Sequence, residues 1–223
     1  MSHFINSRRK RLGRIIDRYR LKNRNFTIFS NDCWGAEVYK HLNLPYNTPF
    51  VGLMLMAPCY IKFLSNPKFY LSKPLVFKKE SYYETINKLQ QGREKQFPIA
   101  TLNGEIEIQF LHYESEEEAF EKWTRRTQRI SWDNLFVKFD GSKDFATPDL
   151  IYEFDKLLFP HLQFLREDIK NVSSALVIPG YTTDGKAQFE IALRYIDLIG
   201  WLNGFSFRTS LKSRLYNSIF FPG

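Results

Sequence analysis

Short apolar runs alternate with amphipathic segments along the first third of the chain. The run from Phe26 to Phe29 predicts a buried strand, and a helix is predicted from about Gly35 to Leu42. Residues 50–56 predict a second buried strand, and Pro58 fits the first turn of the helix that follows. A weaker strand is predicted at residues 73–79. This alternation is typical of an α/β protein.

The clearest local signal is Asn103-Gly104, which joins two strand-like runs. Both central residues of a type I′ turn need a positive φ, and this dipeptide tolerates it, so a β-hairpin is predicted. The second run alternates apolar with polar side chains. Its polar positions, including Glu107 and Gln109, are therefore expected to face solvent.

The second half of the chain continues the alternation. Ser115 and Glu118 form a capping-box pattern, which predicts the start of a helix. Strands are predicted at residues 135–139 and 174–181, and a long helix at residues 184–202. Together these elements predict a three-layer α/β/α fold with a mostly parallel sheet and an antiparallel hairpin part.

The net charge of +8 is concentrated at the start of the chain. Residues 1–24 hold nine basic residues and one acidic residue, so the remainder is neutral, with 23 of each sign. This difference predicts two parts, a basic arm at residues 1–24 and a single α/β domain at residues 25–223.

Within the arm, four apolar residues recur at helical spacing: Leu12, Ile15, Ile16 and Tyr19. A basic amphipathic helix of this kind can lie on an anionic membrane surface, bind nucleic acid or pack on its own domain. Because the neutral body offers no second basic surface, no nucleic-acid partner is expected. The membrane interpretation makes an anionic membrane surface a partner of residues 8–24.

Other features restrict the compartment and the chemistry. Cys33 and Cys59 do not have the spacing of a disulfide framework, and no signal peptide or apolar run of about 20 residues is present. A cytoplasmic location is therefore expected, peripheral to the inner membrane face if the arm binds lipid. The sequence contains no phosphate-binding or dinucleotide-binding glycine motif, and no D-x-D pair, so no cofactor is expected. No metal is expected either, because the four histidines are scattered: His3, His41, His112 and His161.

Polar residues follow three predicted strands, and ligands of open α/β sheets bind at the carboxyl ends of strands. Cys33, His112 and Asp140 could act as nucleophile, base and orienting group. The alternative is that Cys33 is a small buried residue of the turn and His112 a packed residue at a strand end. The candidate substrate-binding residues are Ser30, Asn31, Trp34, Gly35, Tyr113, Trp123, Arg126 and Arg129.

Two of these candidate groups have a specific chemical role. Asn31 and the amides of the next helix could hold a phosphate or a sugar hydroxyl, or Asn31 could only close the turn. Arg126 and Arg129, with Lys122, could bind a diphosphate, since guanidinium recognises phosphate through two hydrogen bonds. The alternative is a solvated helix face whose cations pair with the preceding glutamates.

Three groups of residues resemble a bacterial family catalogued as domain of unknown function nineteen-nineteen, whose members are often labelled exopolysaccharide biosynthesis proteins. They are Ser30, Asn31, Cys33 and Gly35; Trp123, Arg126, Arg129 and Ile130; and residues 133–137. The resemblance covers nearly the whole chain from about residue 8. It implies an α/β fold and a setting in capsule, exopolysaccharide or lipopolysaccharide assembly, and no established reaction.

Three functions are consistent with these features. The favoured one is a metal-independent, glycosyltransferase-like transferase that uses a nucleotide sugar or a lipid-linked glycan at the cytoplasmic membrane face. In it, Asn31 would orient the donor, and Asp140 or His112 would deprotonate the acceptor hydroxyl. The second is a hydrolase or acyltransferase with Cys33 as nucleophile. The third is a non-enzymatic glycan-binding or scaffold protein.

Overall fold

The computed structural model describes residues 2–222, with side chains from residue 6 onward. Over this range the chain forms ten α-helices and seven strands. The helices are α1 Ser2–Arg20, α2 Trp34–Leu42, α3 Ala57–Ser65, α4 Pro67–Leu71, α5 Glu84–Gln91, α6 Glu116–Thr127, α7 Pro148–Asp155, α8 Gly185–Ala192, α9 Leu198–Leu202 and α10 Leu211–Phe220. The strands are β1 Thr27–Ser30, β2 Leu75–Lys78, β3 Ile99–Leu102, β4 Ile106–Gln109, β5 Leu135–Asp140, β6 His161–Leu165 and β7 Ala175–Val177.

The strands form two sheets. One is a four-stranded parallel sheet in the order β1-β5-β6-β7, and the other is a three-stranded antiparallel sheet in the order β2-β3-β4. Successive side chains of the buried strands point to opposite faces of the parallel sheet, so both faces are apolar. Helices cover both of these faces. The α/β fold with a mostly parallel part and an antiparallel part is confirmed.

The alternation along β5 shows how the two faces differ. Val137 and Phe139 pack with α3, α7 and the antiparallel sheet in one apolar core. Phe136 packs in a second core with residues of α2, α8, α9 and the segment after α10. Lys138 shares the face of Phe136 but is a charged residue in a fully buried strand. The second face therefore carries the polar groups described below.

The hairpin prediction is confirmed, and two neighbouring predictions are wrong. Asn103 and Gly104 have φ of 54° and 68° between β3 and β4. Residues 50–56 form no strand, since Met54 makes only an isolated bridge to Gln109 and the segment is buried between other elements. Glu107 and Gln109 do not face solvent. Both are buried, and Glu107 accepts hydrogen bonds from the Tyr82 amide and from Gln109 Nε2.

The long helix predicted at residues 184–202 is two helices, α8 and α9. The break occurs because Asp197 caps α9 by accepting a hydrogen bond from the Gly200 amide. Strand β6 was not predicted from the sequence.

Helix α1, which includes most of the predicted basic arm, packs on the rest of the protein. His41 Nε2 of α2 lies 2.7 Å from Asp17 Oδ2, and both side chains are buried. Tyr216 of α10 donates a hydrogen bond to the Gly13 carbonyl at 3.0 Å. A Cβ added at Gly13 would lie 2.7 Å from the Phe221 ring, so glycine permits this close approach. No helix between residues 2 and 222 is both long and apolar enough to cross a membrane.

Candidate functional site

A buried charge network lies at the carboxyl ends of β1 and β5. Ser30 and Lys138 are partners in the register of these parallel strands, so the residues just after β1 approach the side chain of Lys138. Lys138 Nζ donates to Asp32 Oδ2 at 2.7 Å and to Gln188 Oε1 at 3.0 Å. The Trp34 amide at the start of α2 donates to Asp32 Oδ1 at 3.1 Å. The network thus ties the two strands to α2 and α8.

Asp140 and Asn31 complete the buried part of this network. Asp140 is fully buried and accepts hydrogen bonds from Tyr181, the Gln188 amide group and the Ser142 backbone at 2.7–3.1 Å. Asn31 Oδ1 accepts from the Asp140 backbone amide at 2.8 Å, which fixes the end of β5 beside β1. Because its carboxylate is enclosed and satisfied, Asp140 positions neighbouring groups in this structure and presents no surface to a substrate.

Lys143 lies at the edge of the network and is 13% exposed. Its Nζ is 3.2 Å from Asp32 Oδ2, 3.6 Å from Asp140 Oδ2 and 4.0 Å from Asp144 Oδ2. Burial lowers its pKa, but the three carboxylates outweigh burial and raise the pKa above the ordinary value. Burial likewise raises the pKa of Asp32, and the charges of Lys138 and Lys143 outweigh it and hold that pKa well below its usual range.

Asp144 is the carboxyl group whose ionisation we expect to affect stability near neutral pH. Burial, together with the Asp32 and Asp140 charges, raises its pKa to about 6 despite the nearby Lys143. The folded protein then holds a proton that the unfolded chain releases, so stability falls as pH rises from about 4 to about 6. Asp144→Asn should remove that fall and stabilise the protein at neutral pH by up to about 3 kcal/mol.

Urea unfolding of both proteins between about pH 4 and pH 7 measures this difference. Asn also suits the left-handed backbone at this position, where φ is 56°. A wild-type stability that does not fall between about pH 4 and pH 6 relative to Asp144→Asn would contradict the buried-carboxylate interpretation.

A cavity of about 350 Å³ opens beside the network, between the start of α2 and the start of α8. Cys33 and His112 both line it, so the structure brings together two of the three predicted catalytic residues. A Cβ at Gly185 would lie 3.1 Å from the Cys33 Cβ, so a glycine lets α8 approach this turn closely. The lining residues are Cys33, Ala36, Glu37, Lys40, Tyr46, Val51, Gly52, His112, Asp184, Gly185 and Lys186.

Two further cavities adjoin this one and extend it into a groove towards α1. The second, of about 310 Å³, shares Glu37, Lys40 and Lys186 with the first. The third, of about 570 Å³, shares Lys10, Arg14 and Glu190 with the second. We call these three cavities the basic groove. It is lined by six cations, Lys10, Arg11, Arg14, Lys40, Lys186 and Arg194, and by three carboxylates, Glu37, Asp184 and Glu190.

Cys33 is expected to be a slow nucleophile in the protein without substrate. Burial, reinforced by the neighbouring Asp32 charge, raises the pKa of the Cys33 thiol to about 11. Since the thiolate is the reactive form, iodoacetamide near neutral pH should label Cys33 roughly thirtyfold more slowly than an unperturbed thiol. Burial also raises the pKa of Cys59, so mass spectrometry should find slow labelling at both sites. Rapid, selective labelling of Cys33 would contradict this expectation and favour nucleophilic chemistry.

The other predicted site residues fall into two groups. Ser30, Trp34 and Gly35 are buried, and Trp34 packs against Phe164 and Trp201 in the core. On α6, Trp123 is buried in the core, with its ring centre 6.0 Å from that of Phe50. None of these four residues lines the first cavity.

The predicted pair Arg126 and Arg129 does not form a common surface. Arg126 is buried, donates to Tyr113 Oη at 2.6 Å and lies 5.2 Å from the centre of the Tyr46 ring, which lines the cavity. Tyr113 in turn donates to the Val51 carbonyl at 2.6 Å. Arg129 is exposed in the turn that follows α6, beyond its last residue, Thr127. Arg126 is thus placed to hold the cavity wall rather than to face a ligand directly.

The sequence patterns did not single out Lys138, Lys143 or Gln188. One signal was present, because Lys138 interrupts the otherwise apolar run of β5 and would be a costly residue in a buried strand without a partner. In the part of the chain that the structure describes, no three His, Cys, Asp or Glu side chains are grouped as metal ligands. The network carboxylates bind lysine side chains instead.

The fold and the site define an α/β protein with a charged, partly buried site at the carboxyl ends of its parallel strands. The chain belongs to the family described as Domain of unknown function (DUF1919), whose model matches residues 4–203. An uncharacterized protein of Haemophilus influenzae is 36% identical over 163 residues, which cover 73% of this chain and 72% of that protein.

Proposed function

We propose that the protein is a glycan-assembly transferase that acts, without a metal, on a nucleotide sugar or a lipid-linked glycan at the cytoplasmic face of the membrane. The observation that carries this proposal is the basic groove, which begins at the ends of the parallel strands and extends to α1. Its cations outnumber its carboxylates by two to one, which favours a phosphate-bearing substrate. The setting in polysaccharide assembly comes from the motif resemblance.

The groove offers a division of roles along its length. The starts of α2 and α8 meet at the first cavity, where the Asp32 and Asp184 carboxylates already bind the Trp34 and Ala187 amides. Lys40 and Lys186 line both the first and the second cavity, so they are placed to bind phosphate oxygens of the donor. His112 is exposed at the first cavity and can accept a proton from an acceptor hydroxyl. Asp140, the other candidate base, is enclosed.

Thermal unfolding against nucleotide sugars, free nucleotides, free sugars and acyl donors tests this proposal. A ligand at about 100 times its Kd stabilises a protein by about 2.7 kcal/mol, or about 5–10 °C for a chain of this size. We expect one nucleotide sugar to raise Tm by more than its nucleotide and its sugar do alone. If no phosphorylated ligand shifts Tm, the groove is not a donor site and the transferase proposal fails.

The Cys33 hydrolase or acyltransferase is the second candidate, because Cys33 and His112 line one cavity. The raised pKa of the thiol weighs against it. Cys33→Ala separates the two functions, since it should abolish turnover in a thiol enzyme and leave nucleotide-sugar binding intact in the proposed transferase. A glycan that binds and is released unchanged would instead indicate the third candidate, a glycan-binding or scaffold protein.

A further inference from the structure

Three of the four apolar residues of the α1 stripe face solvent, and the fourth, Ile16, is partly buried. Leu12 and Ile15 are each 50% exposed, and Tyr19 is 91% exposed. The face that packs on the protein is a different one, with Gly13 against Phe221 and Asp17 paired with His41. Burial in the fold therefore does not explain why this helix carries apolar residues at these three positions.

Helix α10 carries a second exposed apolar stripe beside the first. Leu211, Leu215 and Ile219 follow one another at intervals of four residues and are 85%, 63% and 44% exposed. The two helices run antiparallel, because Gly13 lies at Phe221 while Arg20 stacks on Tyr216 at 4.8 Å. On each helix the exposed stripe lies about 100° around the helix axis from the residues that contact the other helix, in the same rotational sense. Because the two helices run antiparallel, both stripes then face the same side of the helix pair.

With one exception, the charged residues described on these two helices are cations. Between residues 6 and 20, α1 holds seven cations and one acid, Asp17, which is buried against His41 and Tyr216. Helix α10 adds Lys212 and Arg214, which are exposed, and contains no acid. Exposed Phe205 lies beside the end of α1, with Lys22 Nζ 5.5 Å from its ring centre. Exposed apolar side chains surrounded by cations are typical of protein surfaces that bind at the interface of an anionic membrane.

We propose that the exposed faces of α1 and α10 form one docking surface for an anionic lipid bilayer. Leu12, Ile15 and Tyr19 enter the interface from α1, Leu215 and Ile219 enter it from α10, and the flanking cations bind lipid phosphates. Helix α1 also carries Lys10, Arg11 and Arg14, which line the third cavity of the basic groove. This inference deepens the proposed function, which supplies the membrane location. It requires no particular donor.

Co-sedimentation of the full chain with vesicles tests the surface. Vesicles of equal parts phosphatidylglycerol and phosphatidylcholine should bind the protein, phosphatidylcholine vesicles should not, and added salt should weaken the binding. The double variant Ile15→Asp and Leu215→Asp should lower the partition coefficient about tenfold or more. Leu158→Asp is the matched control, because Leu158 is 99% exposed outside the surface and its replacement should change nothing.

The cationic part of the surface has its own pair of variants. Lys212→Glu should lower vesicle binding severalfold, and Lys79→Glu, at an exposed position outside α1 and α10, should leave it unchanged.

Equal binding of the Ile15→Asp and Leu215→Asp variant and the wild type would overturn the proposal, since the contact would then be electrostatic only. A dimer in solution that this variant dissociates would overturn it in favour of a second copy. Because nucleotide-sugar binding is measured without vesicles, the two proposals can fail separately.

Discussion

Replacing Lys138 with methionine is expected to lower the free energy of unfolding by about 3–5 kcal/mol, the usual cost of removing one partner from a buried ion pair. Lys138 is fully buried between β1, α2 and α8, and its ammonium group bonds Asp32 and Gln188. Without it, Lys143 is the one cation within 4 Å of Asp32 among the residues that the structure describes, and Gln188 Oε1 loses the Lys138 donor. The expected fall in Tm is about 6–20 °C.

Chemical denaturation of three variants isolates the pair. Lys79→Met removes an exposed lysine and should stay within about 0.5 kcal/mol of the wild type. Combining Lys138→Met with Asp32→Asn should recover part of the loss, because no unpaired carboxylate then remains in the site. A loss below about 1 kcal/mol for Lys138→Met would show that the network does not hold this end of the sheet together.

The second large effect is expected in ligand affinity. The double variant Lys40→Gln and Lys186→Gln removes the two cations that the first and second cavities share. Charge-assisted hydrogen bonds contribute about 1.5–3 kcal/mol each, so the Kd for the nucleotide sugar found by thermal unfolding should rise at least about a hundredfold. Isothermal titration calorimetry measures it directly.

The matched control is Lys79→Gln with Lys88→Gln, which removes the same charge from exposed lysines outside the groove. Its Kd should change severalfold at most, because distant exposed charges are screened by salt. If both double variants lose affinity equally, the effect of the groove cations is long-range and the phosphate-binding role of Lys40 and Lys186 is wrong.

Local features of this fold could be predicted from the sequence, and features that depend on distant partners could not. Asn103-Gly104 specifies its own turn, because the positive φ values are a property of the dipeptide. The apolar side chains of residues 50–56 correctly indicate a buried segment, but a buried segment does not have to pair in a sheet. The apolar positions of α1 were correctly grouped on one face, and only the packing of Gly13 and Asp17 shows that this face points outward.

The candidate site shows the same division. The strand-end rule located Cys33 at the first cavity, because Cys33 follows a strand of the parallel sheet. His112 reaches the same cavity from the antiparallel sheet, where its amide donates to the Gly52 carbonyl. The rule could not predict the role of Lys138, because that role depends on hydrogen bonds to Asp32, 106 positions earlier, and to Gln188, 50 positions later. Arg126 has the residue type of a phosphate ligand, but its contacts with Tyr113 and Tyr46 place it behind the cavity wall.

Hydrogen exchange of the wild-type protein with and without the best nucleotide sugar most directly tests whether the basic groove is the donor site. We expect slower amide exchange at the starts of α2 and α8, around residues 33–37 and 184–188, which border the first cavity. The antiparallel sheet and α5 lie elsewhere and should exchange at unchanged rates. Protection confined to those other elements, or no protection at saturating ligand, would contradict the proposed site and the function built on it.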